Sequence, residues 1–168
     1  MPFYPSAAHL VQDRLEHGDE VDGVRRRRLS LVLELGELLE AAALDRADAG
    51  RKVVGIDARD GLVRVRGWKD NSGVSAIDLA RRMRIIGLRT VIFTDISRDG
   101  LGGGLNIAAT RELAEVSGLD VIASGGVHTM DDVIAAKDAD LAGVIIGRAI
   151  YEGTIDLKES LDGVSDAG

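Results

Sequence analysis

The chain has 168 residues, of which 45% are apolar, so it can bury the core of one domain. It contains no cysteine, which excludes a disulfide scaffold and a thiolate metal site. Its formal net charge of −7 disfavours nucleic acid and anionic membranes as partners, and no apolar run reaches the roughly 18 residues of a membrane span. We therefore expect a cytoplasmic α/β protein with no metal site and with neither nucleic acid nor a membrane as a partner.

The first 50 residues differ in character from the rest, and we predict that residues 1–50 form an N-terminal extension. Within it, Leu29–Ala49 carries leucine and alanine at helical spacing, which predicts one helix. The preceding run Arg25–Arg28 is typical of a solvated charged face. The alternative for this run is a basic patch that binds nucleic acid.

Residues 51–168 show a regular alternation of short apolar segments and amphipathic segments. The predicted strands are Val53–Asp57, Leu62–Val65, Thr90–Ile96, Asp120–Ala123 and Gly143–Ile146, and the predicted helices are Ser75–Ile86, Asn106–Ser117, Met130–Lys137 and Ile155–Leu161. Strands that start near residues 53, 90, 120 and 143 are each followed by a helix. They predict four βα units of a parallel sheet that is covered on both faces.

Polar side chains follow the predicted strands at their carboxyl ends. Parallel strands end at one edge of the sheet, where α/β proteins collect functional residues. The sequence places Asp57, Thr94, Asp95 and Asp99 at this edge. A carboxylate there can act as a general acid or base, or it can cap a helix or bridge a nearby arginine.

Two glycine-containing loops follow the last two predicted strands, at Ser124-Gly125-Gly126 and at Gly147-Arg148. Glycine lets backbone N–H groups approach a ligand closely, and a helix N-terminus attracts anions, so the loops predict a phosphate cup. The alternatives are a tight turn at the glycine pair and a surface cation at Arg148. Trp68 is either a packing residue or a residue that stacks on substrate, and His128 is a solvated or capping side chain.

Five segments resemble, in order, the C-terminal half of the phosphoribosylformimino-AICAR-phosphate isomerase family of histidine biosynthesis. They are VVGIDARDG (53–61), VRGW (65–68), FTDISRDG (93–100), ASGGV (123–127) and GVIIGRAIYEG (143–153). The match runs over roughly Lys52–Leu161, and the GRAIYEG segment favours this isomerase over its sister, the cyclase subunit of imidazole-glycerol-phosphate synthase. A bifunctional relative that also isomerises phosphoribosylanthranilate is similar in the same motifs.

The resemblance implies a (β/α)8 barrel of two homologous halves, of which residues 51–168 represent one (β/α)4 half-barrel. It implies an Amadori rearrangement of an aminoaldose to an aminoketose, without a cofactor, on a ribose-type substrate with a phosphate at each end. By position, it assigns Asp57 as the catalytic general acid. It further implies substrate contacts at Thr94, Asp99 and Trp68, and phosphate contacts at Ser124, Gly125, Gly126, Gly147 and Arg148.

Two features of the family's N-terminal half are not recognised in residues 1–50: a strand that ends in the partner aspartate, and a second glycine-rich phosphate loop. We therefore expect the half-barrel to need completion, either by a second copy of this chain or by a separate N-terminal half-barrel. The alternative is an inactive remnant or a phosphate-binding module.

Overall fold

The computed structural model describes residues 52–65 and 67–165 of the chain. The predicted extension over residues 1–50, with its helix Leu29–Ala49, lies outside the described residues. The elements in chain order are β1 (Val53–Arg59), β2 (Leu62–Val65), β3 (Asp70–Ser75), α1 (Ala76–Ile85), β4 (Thr90–Asp95), α2 (Ile107–Ser117), β5 (Asp120–Ser124), α3 (Met130–Asp138), β6 (Gly143–Val144), α4 (Arg148–Tyr151) and α5 (Leu157–Ser165). No helix in this described part is long and apolar enough to cross a bilayer.

The strands form one sheet in the order β3-β2-β1-β4-β5-β6. The pairs β1–β4, β4–β5 and β5–β6 are parallel, and the pairs β1–β2 and β2–β3 are antiparallel. The predicted α/β class and the four parallel strands are therefore present. The predicted strand Leu62–Val65 and the unpredicted strand β3 form an antiparallel addition to one side of this parallel sheet.

Strand β1 turns back into β2 through a two-residue turn, Asp60-Gly61. Both residues have positive φ, 54° and 73°, and the strand pair closes directly across them at Arg59 and Leu62. A two-residue loop with positive φ at both positions gives the twist that antiparallel strands need. Strand β3 was not predicted because its sequence, DNSGVS, is polar. It is held by pairing with β2, and the buried Ser72 hydroxyl donates a hydrogen bond of 2.8 Å to the Val63 carbonyl.

The helices follow from local signals. In α1 the apolar residues Ala76, Leu79, Ala80 and Met83 share one stripe, and all four are buried. Asn106, the first residue of the predicted helix Asn106–Ser117, is the N-cap of α2, since its side chain accepts a hydrogen bond from the Ala109 N–H.

Near the C-terminal end of the described residues the predicted bounds are displaced. Helix α5 starts at Leu157 rather than at Ile155, because the Asp156 carboxylate accepts the Glu159 N–H at 2.9 Å. The predicted strand Gly143–Ile146 is shorter, at Gly143–Val144, and the one-turn helix α4 was not predicted.

The two faces of the sheet differ in how they are covered. The face that carries Ile56, Val91 and Val121 packs against α1 and α2 in one buried cluster. A second cluster joins Ala123 of β5 to the residues around α3 and α4. The opposite face carries Val53, Gly55, Ile92 and Ile122, none of which belongs to either cluster, and Val53 remains 41% exposed. This second face is where the predicted catalytic side chains lie.

Candidate functional site

Strand register brings three predicted site residues into one row. Asp57 of β1 pairs with Thr94 of β4, and Thr94 pairs with Ser124 of β5. Residues paired across parallel strands point to the same face, so the three side chains lie side by side on the uncovered face. The sequence predicted Asp57 as the last residue of its strand. Strand β1 instead continues to Arg59, because it pairs there with β2.

Trp68 lies over the catalytic candidate. Its indole N–H donates a hydrogen bond of 2.9 Å to the Asp57 carboxylate, although eleven residues separate the two in the chain. Trp68 has a φ of 71°, which a bulky side chain rarely adopts, and is 39% exposed. The loop between β2 and β3 therefore holds a strained, partly exposed aromatic residue against Asp57, and the substrate contact at Trp68 stays a prediction.

A cavity of about 200 Å³ opens beside this row, at the ends of β4, β5 and β6. Six of the predicted site residues line it: Asp99, Ser124, Gly125, Gly126, Gly147 and Arg148. Asp57, Thr94 and Trp68 do not line it. The predicted residues thus form two adjacent groups, and we call the cavity with its six residues the anion cup.

The glycine pair of the cup is required by close backbone contacts. Gly125 and Gly126 have φ of 89° and 93°. A Cβ atom on Gly126 would lie 2.4 Å from the Gly104 carbonyl oxygen, and one on Gly125 would lie 2.7 Å from the Asp95 carbonyl oxygen. A tight turn alone does not need such contacts. These two positions join the loop after β5 to the loop after β4.

Arg148 lines the cup, but its guanidinium already has protein partners. Its Nε donates to the Glu152 carboxylate at 2.5 Å and its Nη1 donates to the Gly100 carbonyl at 2.6 Å. The side chain therefore fastens the loop after β4 to the first turn of α4. The Ile150 N–H donates to the Gly147 carbonyl at 3.1 Å, so the other donors that this end of the cup can offer are the N–H groups of Arg148 and Ala149.

Asp95, the second carboxylate at the end of β4, has a structural role. Its two oxygens accept the Ser97 hydroxyl at 2.6 Å, the Ser97 N–H at 3.0 Å and the Asn106 side-chain amide at 2.6 Å. Burial opposes ionisation of Asp95, but these hydrogen bonds and the charge of Arg98 outweigh it and lower its pKa. The carboxylate closes the base of the loop after β4 and has no oxygen directed at the cup.

Sequence reasoning missed Asp132, which the structure places behind the cup. Its carboxylate accepts the N–H groups of His128 (2.9 Å), Thr129 (3.0 Å) and Leu105 (3.2 Å). Burial opposes its ionisation, but these hydrogen bonds prevail and lower its pKa. The pattern Thr129-x-x-Asp132 before an apolar run is a capping-box signal that could have identified it. His128, expected to be solvated or capping, lines the cup and contacts Gly102.

The described part of the chain holds no cluster of metal-binding side chains. Among residues 52–65 and 67–165, no three side chains of the histidine or carboxylate type gather closely enough to hold an ion. What this rim offers is the Asp57 carboxylate on the open face of the sheet and the backbone of the glycine loops that line the cup.

Comparison with known proteins places the chain in a family. The family model described as "Histidine biosynthesis protein", a TIM-barrel family, matches residues 30–156, which is most of the chain. The chain belongs to this family. The match begins inside the segment that we predicted to be an extension, within Leu29–Ala49.

Curated relatives agree on one activity. The chain is 51% identical over 118 residues to a protein of Hahella chejuensis, which covers 68% of this chain and 48% of the relative. It is 43% identical over 156 residues to a protein of Syntrophobacter fumaroxidans, which covers 90% of this chain and 58% of the relative. Both are named 1-(5-phosphoribosyl)-5-((5-phosphoribosylamino)methylideneamino)imidazole-4-carboxamide isomerase. The resemblance inferred from the motifs is confirmed, and the chain spans about half the length of these relatives.

The glycine pair gives a first test of the site geometry. Gly126→Ala should destabilise the fold by about 3 kcal/mol or more, because positive φ costs about 1–2 kcal/mol and overlap with the Gly104 carbonyl adds about 1–3 kcal/mol. Gly118→Ala is the matched control, since Gly118 has a φ of 68° and no atom within 4 Å of an added Cβ. Urea unfolding measures both, and equal losses would show that the close contact at Gly126 is absent.

The lowered pKa values of Asp95 and Asp132 give a test in acid. Both groups start from a reference pKa of 3.8 and are shifted downward in the folded state. Such groups stabilise the fold above the reference pKa, and this contribution is lost as the pH falls through the folded pKa. The melting temperature should therefore drop steeply below about pH 4, and less steeply in the double variant Asp95→Asn/Asp132→Asn. An unchanged slope in that variant would contradict the assignment.

Proposed function

We propose that this chain is the C-terminal half of a barrel that isomerises a phosphoribosyl aminoaldose in histidine biosynthesis, and that it acts when a second half-barrel completes the site. The observation that carries the proposal is the placement of Asp57 and the anion cup at one rim. The named activity of the relatives supports the substrate class, since their names contain two phosphoribosyl groups. The anion cup holds one phosphate end, through backbone N–H groups of Gly125, Gly126 and the residues after Gly147.

Asp57 is the proton donor in this mechanism. Its carboxylic acid protonates the ribose ring oxygen as the bond from C1 to that oxygen breaks, and the substrate nitrogen lone pair forms a C1=N double bond. A base then removes the proton from C2, which gives an enol with an enamine nitrogen. Return of that proton to C1, with loss of the enol hydroxyl proton at C2 that makes good the proton given up by Asp57, yields the aminoketose. Atoms and electrons balance within the substrate, so the step needs no external oxidant or reductant.

The base and the second phosphate site are assigned to a second half-barrel. The described sheet has two open edges: β6 pairs with β5 alone, and β1 is paired on its outer side to β2 only at Ala58 and Arg59. These open edges of the described sheet, and an uncovered face on which Val53 is 41% exposed, favour a partner. The partner is a second copy of this chain or a separate N-terminal half-barrel. Thr94, beside Asp57 in the same row, contacts the substrate between the cup and the acid.

The test is an isomerase assay with and without a partner half. We expect turnover when the chain is combined with the N-terminal half of the Hahella relative, or when light scattering shows the chain itself to be paired. Asp57→Asn should lower kcat by about 10²- to 10⁴-fold, because the proton donor is lost. Asp60→Asn is the matched control, since Asp60 is an exposed turn residue near Asp57. Full activity of Asp57→Asn would refute the role of Asp57, and phosphate binding without turnover in any assembly would leave only a binding module.

A further inference from the structure

The two oxygens of Asp132 serve two different loops. Oδ2 accepts the N–H groups of His128 and Thr129, which lie in the loop after β5. Oδ1 accepts the N–H of Leu105, which lies in the loop after β4 and is 27 residues away in the chain. One carboxylate thus caps α3 with one oxygen and fastens a distant loop with the other.

The loop that Asp132 fastens forms one wall of the anion cup. Gly100, Leu101 and Gly102 line the cup directly and lie a few residues before Leu105. The loop leaves the cup at Gly104, whose N–H donates to the Gly126 carbonyl at 3.0 Å. The Leu105 contact therefore holds one end of this wall, while Arg148 holds the other end at Gly100.

The backbone is closely packed where the loop after β4 meets Asp132 and the glycine pair. A Cβ on Gly104 would lie 2.9 Å from Asp132 Oδ1, and one on Gly126 would lie 2.4 Å from the Gly104 oxygen. The Arg98 guanidinium donates to carbonyls of the same loop, at 3.3 Å to Gly103 and to Gly104. Arg98 is a hydrogen-bond donor and pairs with carbonyl oxygens. Leu105 is buried, and its backbone N–H needs an acceptor. No contact of Arg98 can replace the one made by Asp132.

We propose that Asp132 is a positioning residue for the anion cup, holding the loop after β4 against the glycine pair so that the cup has the width of a phosphate group. The inference rests on the proposed function of the cup. It goes beyond that function because Asp132 does not line the cup. Its effect on the ligand is transmitted through Leu105 and the loop.

Asp132→Asn separates the two roles of the side chain. The amide oxygen can still accept the N–H groups of His128 and Thr129, so the helix cap is retained. The amide nitrogen then faces the Leu105 N–H, and two donors cannot bond to each other. Asp78→Asn is the matched control, because Asp78 is an exposed aspartate in the first turn of α1 and does not line the cup.

The experiment measures binding of inorganic phosphate to the full chain by calorimetry, together with amide hydrogen exchange at Leu105. We expect Asp132→Asn to raise the dissociation constant about tenfold and to speed exchange at Leu105 by a similar factor, as loss of one charge-assisted hydrogen bond implies. Asp78→Asn should leave both quantities unchanged. A purely structural role for Asp132 would lower the melting temperature but would not weaken phosphate binding in the folded protein.

The outcomes are distinct. If wild type does not bind phosphate, the proposed function of the cup fails and the inference falls with it. If wild type binds and Asp132→Asn binds equally well, the inference alone is overturned. If Asp132→Asn does not fold, wild-type exchange decides: saturating phosphate should slow exchange at Leu105 more than at Leu113 in α2, and equal slowing overturns the inference.

Discussion

The lateral register of β1, β4 and β5 is the constraint on which the site depends. It sets Asp57, Thr94 and Ser124 in one row on the same face. A slip of one residue in any of these strands would turn that strand's side chain to the helix-covered face. The buried residues that alternate with the row, such as Ile56 and Phe93, fix the register because they must face α1 and α2. Core packing on one face thus positions the chemistry on the other.

The anion cup depends on a second level of organisation, the contact between the loops that follow β4 and β5. Glycine is required there because the backbones touch, with the Gly104 N–H bonded to the Gly126 carbonyl. Asp95 and Asp132, two carboxylates that do not line the cup, hold these loops by accepting hydrogen bonds from their backbone N–H groups. The acidic residues of this rim therefore include two that hold backbone, Asp95 and Asp132, whereas Asp57 lies on the open face of the sheet and Asp99 lines the cup.

Much of this arrangement could be predicted from local patterns, and the remainder could not, for physical reasons. The stripe of α1 and the Asn106 cap are short-range features, and both were predicted. Strand β3 was missed because polar residues form it and pairing with β2 supplies its stability. The second contact of Asp132 joins residues 27 positions apart, and the contact of Trp68 with Asp57 requires a hairpin to form first. Non-local partners of this kind leave no periodic signal in the sequence.

In the proposed function, the anion cup and Asp57 form one binding site for a sugar phosphate. The Trp68 indole N–H donates to the Asp57 carboxylate, so its NMR signal is a probe of the surroundings of Asp57. The chain has a single tryptophan, which makes this signal unambiguous. The most direct measurement is a titration with ribose 5-phosphate followed by NMR. We expect the amide signals of Gly125, Gly126 and Gly147 to shift together with the Trp68 indole N–H signal, with one dissociation constant. Shifts confined to other parts of the described chain, or a Trp68 signal that does not move while the cup titrates, would contradict it.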